Sequence, residues 1–172
     1  MKRLSSLQSG GFFLVEAMVS MGVLMIGVLG IFALMSQSIK LTRTINDQYI
    51  GTYLAAEGIE VVKNMLDSNV LTDRGAWNAR GFATAACYEL DYETNSLDSA
   101  ASASCSGSGA SPLLFDGSFY GYARGIPSGF FRTVQVVPIM DSAQIGVRVR
   151  STVRWAGGEQ SFVLEDTFYA WH

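Results

Sequence analysis

An apolar run near the N-terminus constrains this chain more than any other stretch. Between Phe12 and Ser36 the one charged side chain is Glu16. The run, residues 12–35, holds about 24 residues, and at ~1.5 Å per residue it forms a helix long enough to cross a ~30 Å hydrocarbon core. The sequence therefore predicts a membrane-spanning helix at this end of the chain.

The residues before the run, 1–11, form a short basic leader. Lys2 and Arg3 supply its positive charge, which predicts that the N-terminus lies in the cytoplasm and the rest of the chain outside it. An ordinary secretory signal has a shorter apolar core with small residues after it, whereas here Gly10 and Gly11 come before it. A plain signal anchor explains the span and its orientation, but it does not explain Gly-Gly-Phe followed by an acid.

Glu16 needs a reason, because an ionised carboxylate in hydrocarbon costs several kcal/mol unless it has a partner. Two interpretations remain open from the residues. The carboxylate either reaches the headgroup layer without a partner, as acids near helix ends can, or it pairs with a cation.

Gly11, Phe12 and Glu16, with the basic leader before them and the apolar helix after them, resemble the processing site of type IV prepilins and type II secretion pseudopilins. The resemblance implies that a membrane peptidase cuts after Gly11 and methylates the new N-terminal residue, Phe12. It also implies that Glu16 pairs with the terminal amine of a neighbouring subunit during assembly.

A second stretch, residues 54–64, resembles the corresponding helix of V-type minor pilins and I-type pseudopilins. Many major pilins carry a proline midway along the apolar helix, whereas this segment has none and Ala33 stands near that place. The resemblance therefore favours a minor pilin or a pseudopilin over a major subunit. It covers roughly the first third of the chain, and beyond that it rests on pattern alone.

The resemblance implies a minor pilin, a structural subunit that is inserted into a type IV pilus through its N-terminal helix, in assembly initiation or at the tip. The expected partners are other pilin subunits, the prepilin peptidase and methyltransferase, and the inner membrane, with the head outside the cytoplasm before incorporation into the filament. A pseudopilin of a type II secretion system is the alternative within the family. An uncleaved membrane-tethered adhesin or binding module is the alternative from another class.

Beyond the membrane segment, residues 36–66 keep helical spacing and are apolar on two sides. One side is expected to cover a sheet and the other to contact neighbouring helices. Asp67, Ser68 and Asn69 are predicted to end the helix. Residues 67–117 are predicted to form a variable loop region rich in small and polar residues, with a short strand at 88–92 and a flexible segment at 99–111.

Cys87 and Cys105 lie in this variable region, and two interpretations of them remain open. They form a disulfide if the head is outside the cytoplasm, and they are free thiols if it is not. Four acids in the same region, Asp91, Glu93, Asp98 and Asp116, raise the question of a calcium site, but they lack the spacing of a calcium-binding loop, so solvated loop charge is preferred.

Residues 118–172 change to a two-residue period and predict an antiparallel sheet. The predicted strands are 119–124, 130–139, 144–155 and 161–171, with turns at 126–129, 140–142 and 156–159. The expected fold is α+β, a type IV pilin fold in which the outer half of the long helix covers one face of the sheet. In the third strand Ile145, Val147, Val149, Val153 and Trp155 are expected on one face.

The opposite face of that strand carries Arg148, Arg150 and Arg154, which either dock an anionic partner or form a solvated face opposite Glu165. The net charge of −3 argues against nucleic acid as a direct partner. No catalytic motif is present, and the one histidine, His172, has no evident partners for catalysis or metal binding. The chain is therefore not expected to be an enzyme or to hold a cofactor or metal.

Overall fold

A computed structural model describes residues 10–72 and 77–170. The chain divides into two compact units, with the first ending at Asn46 and the second beginning at Asp47. Helix α1 is Gly10–Thr72 and contributes residues to both units. Four threonines on it bond their side-chain hydroxyls to the carbonyl four residues earlier, so each polar side chain is satisfied within the helix.

The helix does not stop at the predicted Asp67-Ser68-Asn69 but continues to Thr72. Asn69, part of the predicted helix end, lies on the buried face of the helix and is only 4% exposed. Its amide donates to Trp77 O at 3.2 Å and to Ala79 O at 3.0 Å. The last turn is stabilised by this tertiary contact, which helix-end preferences do not include.

Seven strands among the described residues form one antiparallel sheet. The strands are β1 Ala86–Glu89, β2 Ala101–Ser102, β3 Pro112–Phe115, β4 Tyr120–Gly121, β5 Ile126–Asp141, β6 Ala143–Trp155 and β7 Gln160–Tyr169. Strand β5 lies at the centre of the sheet, with β1 and β3 along one side and β6 along the other. Strand β2 lies beyond β1, β4 beyond β3, and β7 beyond β6.

One face of this sheet packs against the part of α1 that belongs to the second unit. Leu54, Ile59, Val62 and Met65 on the helix are buried with apolar side chains of β5 and β6. Gly58 lets the two layers approach closely, because a Cβ there would lie 2.5 Å from Ser151 Oγ. The α+β layout, an N-terminal helix covering an antiparallel sheet, is thus confirmed, and it is consistent with the pilin fold.

The predicted strand boundaries require corrections. Residues 126–129, read as a turn, begin β5: Pro127 pairs with Leu114, and the register between β3 and β5 shifts just before Phe131. A proline is tolerated there because β6 pairs with β5 only from Phe131 onward, so this end of the strand needs no second partner. The early strand predicted at 119–124 is only Tyr120–Gly121.

The region predicted as loop, 67–117, contains three strands and a 3-10 turn at Leu97–Ser99. The short strand expected at 88–92 is Ala86–Glu89. The segment 99–111, expected to be flexible, pairs through β2 with β1, and Ala103 N donates to Cys87 O at 2.8 Å. Strands of two to four residues are too short to show a period in a Ser- and Gly-rich sequence.

Candidate functional site

Gly11, Phe12 and Glu16 lie together in the first turns of α1. Phe12 and Glu16 are four residues apart, so they occupy the same side of the helix one turn from each other. Both are exposed, Phe12 to 76% of its surface. Residues 1–9 of the predicted leader lie outside the described residues. The structure thus places the expected cleavage bond and the expected charge partner on one accessible helical surface.

The apolar run that follows has no covering layer within its own unit. Its large side chains are exposed, with values such as 74% for Ile26 and 68% for Leu29. Contiguous exposed apolar surface of this size marks a surface that meets a membrane or another protein. In the part of the chain that the structure describes, α1 is the one helix long and apolar enough to cross a membrane.

Cys87 and Cys105 are joined by a disulfide bond. Cys87 is buried on β1 beside Gln135 of β5, on the sheet face away from the helix, and Cys105 is exposed. The bond fixes the segment after β2 onto this outer face. Of the two interpretations of these cysteines, the structure has the disulfide.

A buried arginine joins the helix and the sheet, and the sequence interpretation missed it. The Arg132 side chain on β5 is fully buried, its Nη1 donates to Leu54 O at 3.0 Å, and its Nη2 donates to Leu90 O at 2.5 Å. Nη1 also lies 3.1 Å from Glu57 Oε2. Leu54 and Glu57 both belong to residues 54–64, the stretch that carries the second resemblance, so Arg132 connects that stretch to the sheet.

A signal for Arg132 was present in the sequence. The two-residue period of β5 places Phe130, Arg132, Val134 and Val136 on one face, and the three apolar members are buried. An arginine in phase with buried residues predicts a guanidinium that must find acceptors inside the fold. Ser151 is in phase with Val149 and Val153 and is also fully buried, but its hydroxyl has no hydrogen-bond partner among the described residues.

Tyr122 is partly buried and contacts the backbone of Arg132. Its hydroxyl donates to Arg132 O at 3.2 Å. Burial raises the pKa of the Tyr122 phenol to about 12, an effect that the nearby Arg132 cation partly opposes. The phenol therefore stays neutral and hydrogen-bonded across the neutral pH range.

The acidic residues of the region before β5 support turns. Asp91 accepts hydrogen bonds from Thr94 Oγ1 at 2.9 Å and from Tyr122 N at 3.2 Å. Asp116 accepts from the backbone amides of Phe119 and Ser118, which lowers the pKa of its carboxyl. No cluster of three or more metal-binding side chains occurs among the described residues. His172 lies outside them.

The outer face of the sheet carries the basic residues predicted on the third strand. Arg150 Nη2 lies 2.7 Å from Glu165 Oε2, and Arg148 Nε lies 3.6 Å from Glu165 Oε1. Val147, Val149, Val153 and Trp155 are buried on the opposite face as predicted. Ile145 is 39% exposed, and it lies beside the turn between β5 and β6, where the pairing register shifts. The solvated interpretation holds for Arg148 and Arg150, which share one carboxylate.

Comparison with known proteins gave no similarity to report: no family model matches the chain, and neither the curated proteins nor the solved structures contain a match.

Proposed function

We propose that this chain is a minor pilin, a structural subunit that is processed after Gly11 and enters a type IV pilus through its N-terminal helix. The observation that carries the proposal is the position of Gly11, Phe12 and Glu16 at the start of α1, ahead of an apolar run whose side chains have no cover within the first unit. A simple tether would need the apolar run, but it would need neither the glycine before Phe12 nor the acid one turn later.

The assembly chemistry follows from charge pairing in a medium of low dielectric constant. Cleavage between Gly11 and Phe12 creates an amine at the end of the helix. An amine from one subunit beside Glu16 of the next neutralises two charges that would each be costly alone in the membrane. Glu16 forms no ion pair with any residue that the structure describes, so within this proposal its cation comes from a second subunit.

The second unit supports a subunit role in a different way. Residues of α1 that face the sheet are buried, whereas Tyr49 and Tyr53 lie on another side of the helix and are 61% and 59% exposed. The rings of Tyr49 and Tyr53 are 4.6 Å apart. In the proposed filament this second apolar side contacts the helices of neighbouring subunits.

The test is co-expression with a prepilin peptidase and a pilus assembly machine, followed by immunoblotting of the membrane and sheared-filament fractions. Gly11→Ala should leave the precursor uncut. Glu16→Ala should be cut normally but be depleted from filaments, and Glu60→Ala, which removes an exposed acid on the same helix outside the apolar run, should enter filaments like the wild type.

Normal filament entry of the Glu16→Ala variant would remove the charge-pairing argument. If the protein stays uncut in every host but still exposes its head on the outer side of the membrane, the alternative function of a membrane-tethered binding module is favoured. Assembly only with the components of a type II secretion system would assign the chain to a pseudopilus.

A further inference from the structure

The outer face of the sheet contains a cationic cavity of about 390 Å³ beside the disulfide. Its floor is a patch of three adjacent strands, in which Gln135, Arg150 and Glu165 form one row across β5, β6 and β7. Thr133, Thr152 and Val163 form the next row, and Arg154 lies across from Ser161 in the row after that. Cys105 forms part of the wall. The size is that of a small-ligand site.

Arg154 is the unusual member of this cavity. It is half-buried, and it forms no ion pair or hydrogen bond with the residues that the structure describes. Its guanidinium lies against Gly107, so closely that a side chain at position 107 would overlap it. The segment after Cys105, which the disulfide fixes, therefore holds this cation in place. A partly desolvated cation without a partner is stabilised by an anion that enters the cavity.

The neighbouring Glu165 shows which anion the site fits. Its carboxylate lies between Arg150 and Arg148, at 2.7 Å and 3.6 Å. Guanidinium groups match the planar geometry of a carboxylate with paired hydrogen bonds. With Arg154 unpaired, the cavity keeps a net positive charge although acids outnumber bases in the chain as a whole, 15 to 12.

The other lining groups indicate what carries the anion. Thr133, Thr152, Ser161 and Gln135 offer hydroxyl and amide groups, which suit the hydroxyls of a sugar ring. The described lining includes no aromatic side chain on which a nucleic acid base could stack. We infer that this cavity binds a carboxylate-bearing sugar of an acidic polysaccharide, with Arg154 as the principal carboxylate contact.

This site lies within the second unit, so its binding does not depend on cleavage after Gly11 or on filament assembly. Calorimetric titration of the full-length protein in detergent micelles with an oligogalacturonate measures it directly. The matched control ligand is the same oligomer with its carboxyls methyl-esterified, which keeps the sugar hydroxyls but removes the charge.

Saturable binding of the free acid, and none of the ester, is the expected result. Losing one charged hydrogen-bonding pair should make Arg154→Gln bind at least about tenfold more weakly. Arg124→Gln, which removes an exposed cation away from the cavity, should stay within about twofold of the wild type. Thr152→Val, which keeps the shape of the side chain but removes its hydroxyl, should also weaken binding. This second variant keeps the inference testable if Arg154→Gln does not fold.

Glu165→Gln separates a binding role from a structural one. Because this change releases Arg148 and Arg150 from their internal carboxylate, it should tighten binding of the oligogalacturonate. The inference is overturned if neither ligand binds, if acid and ester bind equally, or if Arg154→Gln and Arg124→Gln behave alike. Binding of a single-stranded oligonucleotide but not of the oligogalacturonate would overturn the saccharide assignment.

Discussion

Replacing Arg132 with Met should lower the free energy of unfolding of the second unit by about 3 kcal/mol. Met approximates the volume of the arginine stem, so packing changes little and the guanidinium is the group removed. In the folded protein that group is fully buried, and it donates to Leu54 O and Leu90 O while facing Glu57.

The magnitude comes mainly from the two carbonyls. Leu90 O is left without this donor, and an unsatisfied buried acceptor costs about 1–3 kcal/mol. Leu54 O keeps its hydrogen bond within α1 and loses only the second, charged one, which contributes about 1.5–3 kcal/mol. The ion pair adds little, because the Glu57 side chain is 33% exposed and can turn toward water when its partner is gone. Removing the desolvation cost of a buried guanidinium offsets part of the loss, which leaves the net estimate at about 3 kcal/mol.

The assay is guanidinium chloride unfolding of the full chain in detergent micelles, followed by tryptophan fluorescence, since Trp77 and Trp155 are buried in the second unit. Glu57→Gln keeps an acceptor at the helix surface and should cost about 1 kcal/mol or less. Arg124→Met removes an exposed cation and should leave the midpoint unchanged. An Arg132→Met variant as stable as the wild type, or more stable, would refute the conclusion that this side chain joins helix and sheet.

Three further changes test other contacts. Gly58→Ala gains helix propensity of about 1 kcal/mol but forces a Cβ to within 2.5 Å of the buried Ser151 Oγ. Chemical denaturation should therefore show a net decrease of about 1–2 kcal/mol in the free energy of unfolding, and a stabilised variant would contradict the close packing. Asn69→Ala leaves the carbonyls of Trp77 and Ala79 without their donor, so it should lower the free energy of unfolding by about 2 kcal/mol and shift tryptophan emission to the red. No change in either measurement would mean that other contacts hold residues 77–79 in place. Burial raises the pKa of Tyr122 from about 10 to about 12, so the neutral phenol contributes fully to stability below pH ~10, and about 3 kcal/mol of the free energy of unfolding is lost as the pH rises toward 12. Tyr122→Phe should lack this part of the alkaline loss of stability. Identical profiles of stability against pH for the two proteins would exclude the contribution of Tyr122.

The strongly periodic segments could be predicted from the sequence. The long helix, the hairpin of β5 and β6, and the alternation of Val147, Arg148, Val149 and Arg150 all appear where patterning placed them. Each has a face that must be buried and a face that must not, so a shift of one residue would expose the core. Such elements are determined locally and need no knowledge of their partners.

The remaining elements depend on contacts between distant residues. Strand β1 is only four residues long, and it exists because β5 pairs with one of its edges and β2 with the other. Asn69 continues the helix only because Trp77 and Ala79 return to meet it. The conformational preferences of the residues themselves do not reveal these long-range contacts. For that reason the sequence predicts loop rather than strands for residues 67–117.

The candidate sites divide in the same manner. Gly11, Phe12 and Glu16 form a contiguous motif and could be named from the sequence. Arg132 was not among the predicted site residues, although its phase with buried neighbours places it on the inner face of β5. The position of Arg154 beside Gly107 depends on the disulfide-held segment after Cys105, so the cavity could not be built from the strand pattern alone.

The mass of the N-terminal peptide shows directly whether the protein is processed after Gly11, when the protein is isolated from membranes of a host that has a prepilin peptidase. A minor pilin should yield a peptide that begins at Phe12 and carries one methyl group on its amine, and this peptide should disappear in the Gly11→Ala variant. A membrane-bound protein that retains the sequence from Met1 through Gly11 intact in that host would contradict processing as a pilin.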